Sequence, residues 1–76
     1  MPLEPITLGS FKLLFALAKA DPAFRRSLLD DTATALRGQG LRPEPQWVIF
    51  FDSLTEANFE ARMSAAAATL DAEARG

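Results

Sequence analysis

Apolar side chains recur along this chain with a helical period. Phe11, Leu14, Phe15 and Ala18 follow the i, i+3, i+4, i+7 spacing of one buried helix face. Leu13 and Leu17 widen that stripe, and Lys12 and Lys19, seven apart, mark the side toward water. The spacing predicts a first helix over about Leu8 to Ala20, with Thr7 or Ser10 as N-cap. Asp21-Pro22 restarts the helix: Asp offers an acceptor to orphan N–H groups, and Pro at the first helical position gives up no needed hydrogen bond. Phe24 and Leu28 stack one turn apart with Leu29 beside them. Asp30 or Asp31 is placed to cap another short helix through Leu36. Gly38 and Gly40 end it, because glycine enters the left-handed region at low cost.

Leu41-Arg42-Pro43-Glu44-Pro45 then reads as a turn leading into a helix start. The run Trp47-Val48-Ile49-Phe50-Phe51 is rich in aromatic and β-branched residues, so a strand is an alternative. Helix is preferred: Trp47, Phe50, Phe51 and Leu54 fit a helical stripe, and no second strand is on offer to satisfy a first one's backbone. Ser53-Leu54-Thr55-Glu56 has the form of a capping box and predicts a last helix over about Leu54 to Ala72. Phe59, Met63, Ala66 and Leu70, spaced 4, 3, 4, form its seam. Residues 1–7, with Pro2 and Pro5, read as an extended arm whose Leu3 and Ile6 pack on the body, and residues 71–76 as a polar tail. The expected fold is one all-α domain over residues 1–76, a small bundle of four to five short helices.

Composition narrows the function. A chain of 76 residues makes one small domain, and a domain of about 60 residues buries only about 60% of its unfolded surface, so tight helix packing or a partner must help. With no Cys and no His there is no disulfide, and structural zinc is not expected. Eight basic and ten acidic residues are scattered to a net charge of −2, with no basic stripe for nucleic acid. The apolar stretch around Leu13 to Ala18 is far too short to cross a membrane. An acid, Glu4, stands where a signal peptide carries positive charge, which points to the cytoplasm.

Candidate chemistry is sparse. The carboxylates Asp30 and Asp31, or Glu56 and Glu60 one turn apart, could hold a hard cation or do acid–base work. Capping roles account for them more simply, and no metal or other cofactor is expected. No serine or threonine has a general base in a recognisable motif, so catalysis is not expected. Arg25 and Arg26, the one basic doublet, could grip a phosphate or an acidic partner, or stay solvated or paired with Asp21, Asp30 or Asp31. Five successive apolar residues point all round a helix, so Val48 and Ile49 need cover from the arm or from another protein. Trp47, Val48 and Ile49, with Arg25 and Arg26 at the rim, are therefore the candidate partner-binding residues. A homodimer, if one forms, is expected to use the Trp47 helix too, since the last helix's seam spans fewer than two heptads.

The order Asp21-Pro22-Ala23-Phe24-Arg25, Leu28-Leu29-Asp30-Asp31, Ala35-Leu36, Gly40-Leu41 and Pro43-Glu44 resembles a bacterial helical module. It looks like the leader region of precursors of ribosomally synthesised, post-translationally modified peptides, of the nitrile-hydratase-like and LigA-like kinds. The resemblance covers about Phe11 to Leu54. It implies a LigA-like bundle that serves natural-product biosynthesis as a recognition handle: a modifying enzyme binds the leader and acts on a flexible C-terminal core. A similar module forms the small subunit of LigAB-type extradiol dioxygenases. That implies an alternative, a non-catalytic subunit that covers a larger subunit's active site with the Trp47 helix. A helix-turn-helix regulator is the weakest reading, because a basic recognition helix is missing.

Overall fold

A computed structural model describes residues 2–75, and these described residues form five helices and no strand. They are α1 (Leu8–Ala20), α2 (Pro22–Asp30), α3 (Thr32–Gly38), α4 (Pro45–Asp52) and α5 (Phe59–Arg75). Helix α1 packs on α2 and α5, α2 on α3 and α4, and α3 on α4. The body measures 34 × 33 × 21 Å. Its short dimension is about two helix diameters, so each helix keeps an outer side.

Local chemistry sets the boundaries. Thr7 and Ser10 both act at the start of α1: the Ser10 amide donates to Thr7 Oγ1 at 3.3 Å, and the Thr7 amide donates to Ser10 Oγ at 2.8 Å. Asp21 Oδ1 accepts from the Ala23 and Phe24 amides, and Pro22 follows as the first residue of α2. The expected side-chain cap on α3 is corrected. Asp30 lies inside α2, and Asp31 caps with its backbone but makes no side-chain bond. The junction is held by Thr32, which is buried and donates its hydroxyl to the Leu28 carbonyl at 2.7 Å.

Helix α3 runs through Gly38, two residues beyond the expected end at Leu36, and closes in a Schellman motif. The Leu41 amide donates to the Leu36 carbonyl at 2.9 Å, and the Gly40 amide to that of Arg37 at 3.0 Å. Gly40 takes φ +74°, which the motif needs and a side chain resists. The N-terminal arm docks on this turn. Glu4 pairs in parallel with Leu41, its amide donating to Gly40 and its carbonyl accepting from Arg42. Ile6 enters the core and Leu3 is half-buried. Of the arm 1–7, Met1 lies outside the described residues.

The run at Trp47–Phe51 is helical, inside α4. The last helix begins five residues later than expected. Ser53 does not cap it: Ser53 closes α4, its hydroxyl donating to the Phe50 carbonyl at 2.6 Å. The reciprocal pair lies two residues on, where the Thr55 amide donates to Asn58 Oδ1 at 2.8 Å and the Asn58 amide to Thr55 Oγ1 at 3.3 Å. Helix α5 then continues to Arg75, so residues 71–75 of the expected tail are helical; Gly76 lies outside the described residues.

The core is one cluster. Phe11, Leu14, Leu28, Leu36, Phe51 and Met63 are its largest fully buried side chains. From the α5 seam, Phe59 and Met63 are buried, and Ala66 and Leu70 pack half-buried against the cluster. Leu17 is half-buried, but Leu13 is 61% exposed and does not widen the buried stripe. No buried side-chain nitrogen or oxygen among the described residues lacks a partner.

Candidate functional site

Four aromatic rings gather where α1 meets α4. Trp47 stands 5.4 Å from Phe11, 5.9 Å from Phe50 and 6.0 Å from Phe51, centroid to centroid. Phe11 and Phe51 are fully buried and stack at 5.9 Å. Trp47 and Phe50 lie above them, half-buried and edge-to-face at 89°, a geometry favoured by the aromatic quadrupole. They form one wall of an open groove of about 380 Å³. Ala66, Thr69, Leu70 and Glu73 of α5 form the other wall, and Gln46 of α4 also lines the groove.

The sequence missed the α5 wall. Its signal was available in Leu70 and Ala66, which the seam contains, and in Glu73, one turn beyond Leu70. Groove walls from two helices cannot be paired from spacing alone.

The expected patch of Trp47, Val48 and Ile49 does not form one surface. Successive residues turn by about 100° around a helix. Phe50, Trp47 and Phe51 therefore share one arc, Val48 flanks it half-buried, and Ile49 points the opposite way with 70% of its surface exposed. The arm does not cover Ile49.

Arg25 and Arg26 also separate. Arg26 is exposed. Arg25 is engaged inside the molecule: its Nε donates to Glu56, and its guanidinium lies 5.0 Å from the Phe59 ring centroid. Its Nη1 donates to the Ala18 carbonyl at 3.0 Å. That carbonyl is an orphan of the last turn of α1. In a continued helix its donor would be residue 22, and proline has none. Arg25 fills that vacancy, so it is a clamp between α1, α2 and the start of α5 and not a rim contact. The solvated reading and the pairing with Asp21, Asp30 or Asp31 give way to Glu56, 31 residues away in sequence.

The carboxylates stay dispersed. Asp30, Asp31 and Glu60 are exposed, and Glu56 belongs to Arg25. Among the described residues, no three His, Cys, Asp or Glu side chains gather as metal ligands. The hydroxyls of Thr32, Ser53 and Thr69 each donate to a backbone carbonyl three or four residues back. What the arrangement offers is an apolar, aromatic-walled surface with one carboxylate, Glu73, in its lining.

No helix among the described residues is long and apolar enough to cross a membrane. Set against known protein families, curated proteins and solved structures, the chain matches none.

Proposed function

We propose that this chain is a non-catalytic protein-binding module of the cytoplasm, a leader-like recognition domain that a peptide-modifying enzyme engages through α4. One observation carries the reading. Helix α4 holds more apolar side chains than its own core uses, with Ile49 left 70% exposed and Trp47 and Phe50 half-buried along an open groove. Trp is the residue type most enriched among interface anchors, and the adjoining Trp47 and Phe50 rings leave apolar surface of the kind that marks contact with another macromolecule. The likeness of the Asp21–Glu44 motifs to leader modules supplies the class of partner.

The test has two stages. The chain is purified from its native host and the protein retained with it is identified by mass. The affinity of that protein for wild type and for Ile49→Asp is then measured. A modifying enzyme that loses about tenfold or more in affinity supports the reading; that factor corresponds to about 1.4 kcal/mol. Unchanged affinity for Ile49→Asp and for Trp47→Phe overturns docking through α4. Retention of a dioxygenase large subunit instead supports the small-subunit reading.

A further inference from the structure

The groove between α4 and α5 says more about its occupant than its apolar floor does. Trp47, Phe50, Ala66 and Leu70 give it its apolar lining, and Gln46, Thr69 and Glu73 its polar groups. Two of the polar lining residues point to one sign of charge. Glu73 lines the groove directly. Gln46, which also lines the groove, donates its side-chain amide to the Glu44 carboxylate at 3.4 Å, which places a second acid beside it. No lysine or arginine lines the groove. Thr69 donates its hydroxyl to Ala65 and offers nothing but lone pairs. Glu73 also sits in the last turn of α5, where the carbonyl ends add partial negative charge. An apolar groove lined by Glu73 and with Glu44 beside it repels an acidic segment and attracts a basic one. The aromatic wall works the same way, because the faces of Trp and Phe attract ammonium and guanidinium groups.

A second copy of this chain is a poor occupant. A two-fold pairing over the groove brings the same patch of both copies together. The Glu73 and Glu44 carboxylates of both copies, four in all, would then share one interface, within a chain of net charge −2.

We infer that the groove receives a segment of a partner protein in which a Leu-type apolar side chain is flanked by arginine or lysine. The apolar side chain seats on Trp47, Phe50 and Leu70, and the flanking cations meet Glu73 and Glu44. This rests on the reading that the chain binds a protein, and it names the chemistry the partner must present.

The probes are two capped peptides with the same apolar centre, acetyl-Gly-Arg-Leu-Leu-Arg-Gly-amide and acetyl-Gly-Glu-Leu-Leu-Glu-Gly-amide. Each is titrated into the 15N-labelled full chain at low ionic strength. The Arg peptide is expected to shift the Trp47 indole N–H and the Leu70 and Glu73 amides, and to bind about tenfold more tightly than the Glu peptide. Glu73→Lys, at an exposed position, is expected to fold normally and abolish that preference. Equal affinity for the two peptides, shifts away from α4 and α5, or an unchanged preference in Glu73→Lys overturns the inference. Groove shifts that grow with protein concentration in the absence of peptide also overturn it, in favour of a second copy. The two proposals fail separately. If the native host yields no partner, the peptide preference still holds the groove assignment. If the peptides show no preference while Ile49→Asp abolishes partner binding, the groove assignment falls and docking through α4 stands.

Discussion

Replacing Arg25 by Met removes three interactions at once while keeping most of the aliphatic stem. The largest concerns the Ala18 carbonyl, which sits in a residue with no exposed surface and has Arg25 Nη1 as its donor. Leaving such a group unpaired costs about 1–3 kcal/mol. The guanidinium on the Phe59 ring adds about 0.5–1 kcal/mol. The Glu56 ion pair adds about 0.2–1 kcal/mol, at the low end because the Glu56 side chain is 56% exposed. Together these predict a loss of about 2–4 kcal/mol for Arg25→Met. Glu56→Gln alone should lose no more than about 1 kcal/mol. A chain of this length has about 4–11 kcal/mol of stability in all, so the first change is large and the second small. Urea denaturation with a constant m-value reads both. The double-mutant cycle isolates the ion pair, and 1 M salt should shrink only that coupling. Arg25→Lys should recover little, since an ammonium lacks the fork that reaches Ala18 and Glu56 together. If Glu56→Gln loses as much as Arg25→Met, the ion pair is the main clamp and the argument from the proline-orphaned carbonyl is wrong.

Other outcomes follow from the same geometry. Thr55→Ala should lose about 1 kcal/mol, and Ser53→Ala clearly less, because Thr55 and not Ser53 opens the segment leading into α5; the reverse order of denaturation midpoints would restore the Ser53 box. Gly40→Ala should lose about 1–2 kcal/mol from its left-handed backbone, and faster amide exchange at Glu4 and Arg42 would report the arm loosening with it. Ile49→Asp should change stability by no more than about 0.5 kcal/mol, whereas Phe11→Ala, at the centre of the aromatic cluster, should lose about 3–5 kcal/mol. A thermal melt in which Ile49→Asp unfolds the chain would make that residue core.

Where a boundary depended on neighbouring residues alone, it could be read from the sequence. Thr7 with Ser10, Asp21 with Pro22, and Pro45 each open a helix where the pattern put one. Two overlapping signals could not be separated that way. Ser53-Leu54-Thr55-Glu56 and Thr55-Glu56-Ala57-Asn58 both have the form of a cap. The choice is made by burial of Leu54, which turns the chain inward, and by Glu56 reaching Arg25 across the fold. Both are tertiary facts. The candidate site divided similarly. That the Trp47 run exceeds one helix's needs was legible. That Trp47 and Ile49 serve opposite sides, and that Arg25 is engaged inside the molecule, required knowing which neighbours α4 and α2 meet.

The central claim is that α4 carries a protein-docking surface that the chain's own fold does not need. The most direct measurement is the dissociation constant of the co-purified partner for wild type and Ile49→Asp, with the urea midpoint of each variant taken on the same preparations. The account predicts an unchanged midpoint together with an affinity at least about tenfold weaker. Wild-type affinity at an unchanged midpoint, in Ile49→Asp and in Trp47→Phe alike, would contradict it, and so would a collapse of the Ile49→Asp midpoint, because Ile49 would then belong to the core.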